Sequence, residues 1–299
     1  MVPTTVVEPR VVPGATWHAE QARHEALVDA LTHGHRERAG TGRRHPVEDF
    51  LFTYYSHRPA RLRRWHPGAG VVLLGQATDE RLSWRWHVEV TVRQGVGVTL
   101  DVPAFLADRG DAVRRMLDLL RATASRPAQL GCFGLHEWAM VHRLGPGLQR
   151  HESWPLRLGQ SGTDAVVEAN PLRCSHFDAF RFFTPSARPL NVLQPTRETQ
   201  VQLEQPGCLH ATMDLYKWAY KLGPAVPSSL VLRCFTLARE VRELDMRASP
   251  YDLTDLGYDP VPVETADGRA QYAAMQRDFS ARGQSVRAEL VDVCEHLLT

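Results

Sequence analysis

The sequence predicts one α-rich α+β domain of many helices, with a small antiparallel sheet near its N-terminal third. Two observations carry this prediction. Apolar residues recur at helical spacing over long segments, and strand-like alternation is confined to a short stretch around residues 71–92. The 299 residues, 43% hydrophobic and 23% charged, can form a sizeable core. No fixed-period repeat or strong linker divides them.

The chain begins with a proline-rich segment followed by helical patterns. Residues 1–16 are interpreted as a flexible leader, and residues 17–299 as a single globular domain. A helix is expected over residues 17–39, where small apolar residues recur at helical spacing and Gly-Thr-Gly follows. A second helix is expected to begin at Pro46, because proline suits the first helical position and two acidic residues follow.

Strands and a long helix come next. Strands are expected over residues 71–74 and 84–92, because the second alternates apolar and polar residues, and the two are expected to pair. Residues 103–124 carry an apolar stripe at helical spacing, which predicts a long amphipathic helix.

The C-terminal half changes from irregular chain to long helices. Residues 130–206 contain many glycines and prolines, which predict short broken helices and a strand near residues 165–167. Helices are expected over residues 208–222, 228–246 and 268–298. Unusual side-chain chemistry on irregular segments is often functional, so residues 130–206 are expected to contribute to a site.

Composition limits the classes of function. The net charge of +1 gives no global attraction to nucleic acid, so DNA binding would need a local basic patch.

No apolar run approaches the roughly 20 residues that cross a bilayer, and the chain does not start with a signal-peptide pattern. A cytoplasmic protein without membrane contact is expected. Its five cysteines, an odd number, predict free thiols, and nothing specifies an oligomeric state.

Three short segments each combine a cysteine, a histidine and a carboxylate among aromatic residues. They read Gly131-Cys132-Phe133-Gly134-Leu135-His136-Glu137-Trp138, Arg173-Cys174-Ser175-His176-Phe177-Asp178, and Gly207-Cys208-Leu209-His210 with Asp214 one turn later. These side chains bind metals or move protons, so the three segments predict the walls of one site. Buried structural residues are the alternative for each segment alone, since none has a CxxC or HExxH spacing.

Basic residues offer further candidates. Arginines alternate with aromatic residues over residues 36–66, a pattern that suits phosphate contact and base stacking, with a solvated arginine face as the alternative. The candidate contacts to a nucleic-acid backbone are Arg58, Arg61, Arg63 and Arg64. Arg247 lies in a polar turn and is a candidate for binding an acidic group, with a structural ion pair as the alternative.

The chain contains two lysines, Lys217 and Lys221, four residues apart on one predicted helix. A buried lysine can lose its proton and act as a base or nucleophile, which arginine cannot do. Each ammonium group would lower the pKa of the other. Two ordinary surface lysines are the equally weighted alternative.

Four long strings resemble a family of actinobacterial proteins labelled 3-methyladenine DNA glycosylase. They are His45 to Tyr55, Gly131 to His142, Arg173 to Phe183 and Gln194 to Lys221. The resemblance extends from about residue 17 to the end of the chain. It implies excision of an alkylated purine from damaged DNA, with a flipped-out base stacked on aromatic side chains and a carboxylate that activates water or stabilises the sugar cation. The motifs of known glycosylase classes are absent, so no catalytic residue is taken from them.

Two functional hypotheses follow. The first is a DNA N-glycosylase without a cofactor. Its catalytic candidates are His136, Glu137, His176, Asp178, His210, Asp214 and Lys217. Its substrate-binding candidates are Trp138, Phe177, Tyr216, Trp218, Lys221 and Arg247. The second is a hydrolase or oxidoreductase that acts on a small molecule and binds zinc or non-haem iron through His136, His176 and His210.

Overall fold

The protein is described by a computed structural model that covers residues 9–75, 79–145 and 154–299. The strands within these residues are β1 (Arg10–Val12), β2 (Val71–Leu74), β3 (His87–Val92) and β4 (Gly95–Leu100). The longer helices are α1 (Gly14–Thr41), α5 (Val102–Ala124), α7 (Gly159–Ala169), α10 (Leu209–Lys221), α11 (Ser228–Arg247) and α12 (Ala266–Leu298). The short helices are α2 (Phe50–Tyr54), α3 (Pro59–Arg63), α4 (Asp79–Leu82), α6 (Leu135–Ala139), α8 (Phe177–Phe180) and α9 (Gln200–Leu203).

The α-rich α+β class is confirmed, and the sheet differs from its prediction in detail. Its four strands have the order β1-β2-β4-β3. Strand β1 runs parallel to β2, so the sheet is mixed rather than antiparallel. Parallel pairing requires a crossover, which the chain makes through α1, α2 and α3. The segment expected as a leader therefore includes a strand of the sheet, and α1 already begins at Gly14.

The expected pairing of β2 with β3 is wrong, because β4 lies between them and pairs with both. Strand β4 reads Gly-Val-Gly-Val-Thr-Leu, and its two glycines weaken the strand signal in the sequence. Gly97 is needed for close approach, since a Cβ atom there would lie 2.6 Å from the carbonyl oxygen of Leu73 on β2.

Most predicted helices are confirmed within a few residues, namely α1, α5, α10, α11 and α12. Two local predictions are wrong. The strand expected at residues 165–167 is part of α7, where Thr163 and Val167 bury one helical face. The helix expected from Pro46 begins only at Phe50, because the His45 ring accepts hydrogen bonds from the next backbone N–H groups and holds a turn.

Helix α10 lies at the centre of the helical layer, in contact with α11 and α12, while α12 also packs on α5. Nearly every residue of α10 from Leu209 to Lys217 is buried. A helix buried on all sides has no polar face to turn towards water. His210, Asp214 and Lys217 therefore lie inside the protein, whereas Lys221 at the end of α10 is exposed. No helix of the described residues is long and apolar enough to cross a membrane.

The entry to α10 depends on Gly207. A Cβ atom at this position would meet the backbone of Gln129 at 2.6 Å, and Gln276 donates a hydrogen bond to the Gly207 carbonyl. We expect Gly207→Ala to lower the free energy of unfolding by about 1–3 kcal/mol, through overpacking against a backbone that cannot rotate away. Urea denaturation measures this change.

Gly40→Ala is the matched control, because a Cβ atom there has no neighbour within 4 Å and the residue lies exposed in α1. It should raise the free energy of unfolding by about 0.5–1 kcal/mol. Equal stabilities of the two variants would show that the Gln129 backbone moves aside.

Candidate functional site

The three histidines of the cysteine-containing segments lie side by side in the protein interior. His136 is on α6, His176 directly precedes α8, and His210 is in the first turn of α10. The ring centroids of His136 and His210 are 4.5 Å apart, and those of His176 and His210 are 5.3 Å apart. The single location predicted from the sequence is therefore what the structure shows. Their chemical roles stay predictions.

The histidines divide between two groups of potential metal ligands. His136 and His210 join Asp245 of α11, and His176 joins Glu204 and Asp214. Within each group the ligand atoms lie within 4.8 Å of one another, and all the residues are buried. The three histidines are divided between these two groups, so His136, His176 and His210 do not form a single ligand group. Carboxylates complete each group.

The first group is centred on a buried ion pair. His136 Nε2 lies 2.7 Å from Asp245 Oδ1, and Arg242 donates to Asp245 Oδ2 at 2.7 Å and to Glu137 Oε1 at 2.9 Å. Burial disfavours the charged imidazole, but the Asp245 carboxylate outweighs it and raises the pKa of His136 well above its usual range. Glu137 is an ion-pair partner of Arg242, and its side chain is buried.

Unlike His136, His210 has no side-chain hydrogen bond to the described residues. Burial and the nearby His136 lower its pKa well below the usual value, so its ring is neutral. A neutral imidazole with a free ring nitrogen can accept a proton or bind a cation.

The second group has an unsatisfied histidine. His176 Nε2 lies 3.4 Å from Glu204 Oε1 and 3.4 Å from Asp214 Oδ2, and neither ring nitrogen has hydrogen-bond geometry to any partner. The side chain is 1% exposed. Burial disfavours the charged ring, but Asp214 and Glu204 raise its pKa, and burial raises the pKa of Glu204. A buried ring with ion-pair contacts but no aligned hydrogen bond to the described residues is rare in folded proteins and leaves a place for a ligand or a proton.

Asp214 is held from two sides. Tyr55 donates to its Oδ1 at 2.8 Å, and Lys217 donates to its Oδ2 at 2.5 Å. Burial alone would raise the pKa of Asp214, but the attraction of Lys217 and His176 lowers it far below the usual range. The carboxylate is therefore charged and fixed in position. Asp178 receives a second hydrogen bond from Lys217 at 3.2 Å.

A narrow cleft reaches His210. It is lined by Phe50, Tyr54, Glu137, Met140, Asp178, Ala179, Phe182, His210 and Arg242. Its cavity volume is about 10 Å³, which is close to the space that one water molecule occupies. Of the residues in the two groups, His210 lines the cleft, together with Glu137 and Arg242 of the ion-pair network and with Asp178, the second carboxylate that binds Lys217.

The surroundings of Lys217 do not favour the role of base or nucleophile predicted for it, and that role stays a prediction. Burial alone would lower the pKa of Lys217, but Asp214 and Asp178 raise it, so the ammonium group keeps its proton. Lys221 is exposed, and its ammonium lies 5.6 Å from the Trp218 ring centroid. Burial and Lys217 lower the pKa of Lys221, but it lies outside the buried groups.

Among the aromatic candidates, Trp138 and Tyr216 are fully buried, so neither can stack on a ligand. The Trp138 indole donates to the Ala248 carbonyl, and the Tyr216 hydroxyl lies 2.8 Å from His57 Nδ1. Phe177 and Trp218 are half-buried.

Arg247 donates to the Asp259 carbonyl and pairs with Glu243, the structural alternative considered for it. Of the four proposed DNA-backbone arginines, Arg63 is neutralised by Glu25 and Asp29. Arg58, Arg61 and Arg64 are exposed.

The sequence patterns did not single out Glu204, Arg242 or Asp245. The helical spacing of buried residues marks two of them in the sequence. Arg242 and Asp245 fall on the face of α11 that also buries Ala238 and Val241. Charged residues at inward-facing positions of a helix require buried partners. Glu204 follows the single turn of α9, and no local pattern marks it.

Removal of the Lys217 ammonium should leave the Asp214 charge buried with one partner fewer. We expect Lys217→Met to lower the free energy of unfolding by about 3–5 kcal/mol. Lys221→Met is the control on the same helix and should change it by less than about 0.5 kcal/mol, because Lys221 is exposed. Similar values for both variants in urea denaturation would show that the Asp214–Lys217 pair adds no stability.

Comparisons of the chain with protein-family models, with curated proteins and with solved structures give no match. The resemblance to the family labelled 3-methyladenine DNA glycosylase therefore stays a prediction. Function has to be inferred from the site itself.

Proposed function

We propose that the protein is a metal-dependent enzyme acting on a small molecule, with its metal held by the buried histidine and carboxylate groups. The observation that carries this proposal is His176. Its ring is buried and has no hydrogen bond to the described residues, and its Nε2 lies 3.4 Å from each of two carboxylate oxygens. A proton can satisfy only one of these contacts with good geometry, whereas a cation between the three atoms would satisfy all of them.

The spacing of these atoms fits a cation. Two ligand atoms that each lie about 2.0–2.2 Å from a tetrahedral zinc ion are about 3.3–3.6 Å apart. The two distances from His176 Nε2 fall in this interval. Nitrogen and oxygen ligands of this kind suit zinc or non-haem iron. His176, Glu204 and Asp214 would hold one ion, and His136, His210 and Asp245 offer a second set.

Neighbouring residues orient these ligands. Tyr55 and Lys217 each bind one oxygen of Asp214, which fixes the carboxylate plane. Arg242 performs the same role for Asp245. Such second contacts hold metal ligands in place and tune their basicity. When bound, a zinc or iron ion would supply Lewis-acid activation of water or redox chemistry.

His210 is suited to proton transfer. Its ring is neutral, lines the cleft and has no hydrogen bond to the described residues, so it can accept a proton from a group that enters. The cleft restricts the reacting group to a small one in this conformation. Hydrolysis and oxidation both remain compatible with these residues, and the identity of the ion decides between them.

The DNA N-glycosylase hypothesis is the second candidate, and the exposed Arg58, Arg61 and Arg64 favour it. A flipped-out purine needs a pocket of several hundred cubic ångströms, and the cleft at His210 has about 10 Å³. Base excision would therefore require the cleft to open widely. This difference in size is the reason that the metal-dependent enzyme is preferred.

Elemental analysis of the purified protein tests the proposal. Wild-type protein should contain a stoichiometric transition metal, and His176→Ala should lose most of it, because a buried ligand is removed. His33→Ala is the control, since His33 is exposed on α1 and far from the site in sequence. It should retain the wild-type content.

Two results would contradict the proposal. One is wild-type protein that contains no transition metal and binds neither added zinc nor added ferrous iron. The other is a folded His176→Ala variant with an unchanged metal content. Circular dichroism of each variant shows whether it is folded.

A further inference from the structure

A second and larger cavity is formed where α3, the start of β3 and the connection from α10 to α11 meet. Its volume is about 470 Å³, within the range of about 300–1,000 Å³ that is usual for small-molecule sites. None of the histidine or carboxylate residues of the two buried groups lines it. We call this cavity the arginine groove, after Arg61, Arg64 and Arg85 in its wall.

Two arginines of the arginine groove carry positive charge without a compensating acid among the described residues. No aspartate or glutamate is among its lining residues. Arg85 is paired with Asp108, whereas Arg61 and Arg64 have no ion pair to any residue of the described ranges. Two exposed guanidinium groups beside one cavity form a site for an anion, and arginine binds phosphate oxygens in a bidentate manner.

His66 supplies an independent sign of a missing ligand. Its Nδ1 atom is buried and has no hydrogen-bond partner in the described ranges, and its ring centroid lies 5.4 Å from that of Trp84 and 6.1 Å from that of His87. Burial, and then His87, Arg81 and Arg64, lower the pKa of His66 to about 3. The Arg81 and Arg64 guanidinium groups near this ring would stabilise an anion in the groove.

The remaining wall is aromatic and apolar. Trp84, Trp86 and Tyr220 line it, and the Tyr220 ring stacks on His57 with centroids 4.3 Å apart. Pro224 and Val226 add apolar surface. Flat ring systems pack well against such side chains, so the groove suits a ligand with both a ring and an anionic group.

We propose that the arginine groove binds a nucleotide-sized phosphate ester of a planar ring compound, with Arg61 and Arg64 at the phosphate and the aromatic wall at the ring. The guanidinium groups recognise the charge, and the tryptophan and tyrosine side chains recognise the ring. This binding site is separate from the buried ligand groups and does not depend on a bound metal.

Isothermal titration calorimetry with AMP, adenosine and inorganic phosphate tests the proposal on the full chain. AMP should bind at least about tenfold more tightly than adenosine or phosphate alone, because each lacks one of the two recognised parts. The Arg61→Ala, Arg64→Ala double variant should lose at least about tenfold in AMP affinity. Both arginines are exposed, so the variant should keep its thermal unfolding midpoint.

Arg58→Ala is the matched control, because Arg58 is exposed in the same segment but does not line the groove. Its AMP affinity should equal that of the wild type. The proposal is overturned if AMP does not bind, if adenosine binds as tightly as AMP, or if the double variant binds AMP as well as Arg58→Ala does. Binding of a short deoxyoligonucleotide without binding of AMP would also overturn it and would point to a nucleic-acid strand as the ligand.

Discussion

The burial of charge on helix α10 is the constraint on which the arrangement of the surrounding elements depends. Asp214 and Lys217 lie inside the protein, where a charged group without partners is strongly destabilising. Further hydrogen-bond and ion-pair partners of Asp214 and Lys217 therefore have to come from other helices and loops. Tyr55 directly follows α2, Asp178 is on α8, and His176 directly precedes it. These side-chain contacts link α2 and α8 to α10, while α2 also packs on α11.

The two buried groups differ in how their charged side chains are paired. In the first, His136, Asp245 and Arg242 form a hydrogen-bonded ion-pair network. In the second, His176 stands between two carboxylates without a hydrogen bond to either. Satisfied networks give rigidity, while an unsatisfied buried group indicates a function that the protein chain alone does not complete. This contrast makes the second group the stronger candidate for a bound ion.

The buried site and the arginine groove are connected through tyrosines. Tyr55 donates its hydroxyl to Asp214, and its backbone carbonyl accepts a hydrogen bond from the Tyr220 hydroxyl in the groove wall. The rings of Tyr55 and Tyr220 also contact each other, with centroids 6.5 Å apart. Tyr55 therefore contacts both the buried carboxylate and the wall of the groove.

The sequence by itself determined the fold class, the long helices and the residue types of the site, because helical periodicity and clustered histidines are local features. It indicated that His136, His176 and His210 belong together. Only the tertiary structure decided which carboxylates join them, since Glu204 and Asp245 reach the site through packing of distant segments. It also decided the surroundings of Lys217, where the buried Asp214 and the half-buried Asp178 raise its pKa. A pKa depends on the charges around a group in space, and sequence spacing does not supply them.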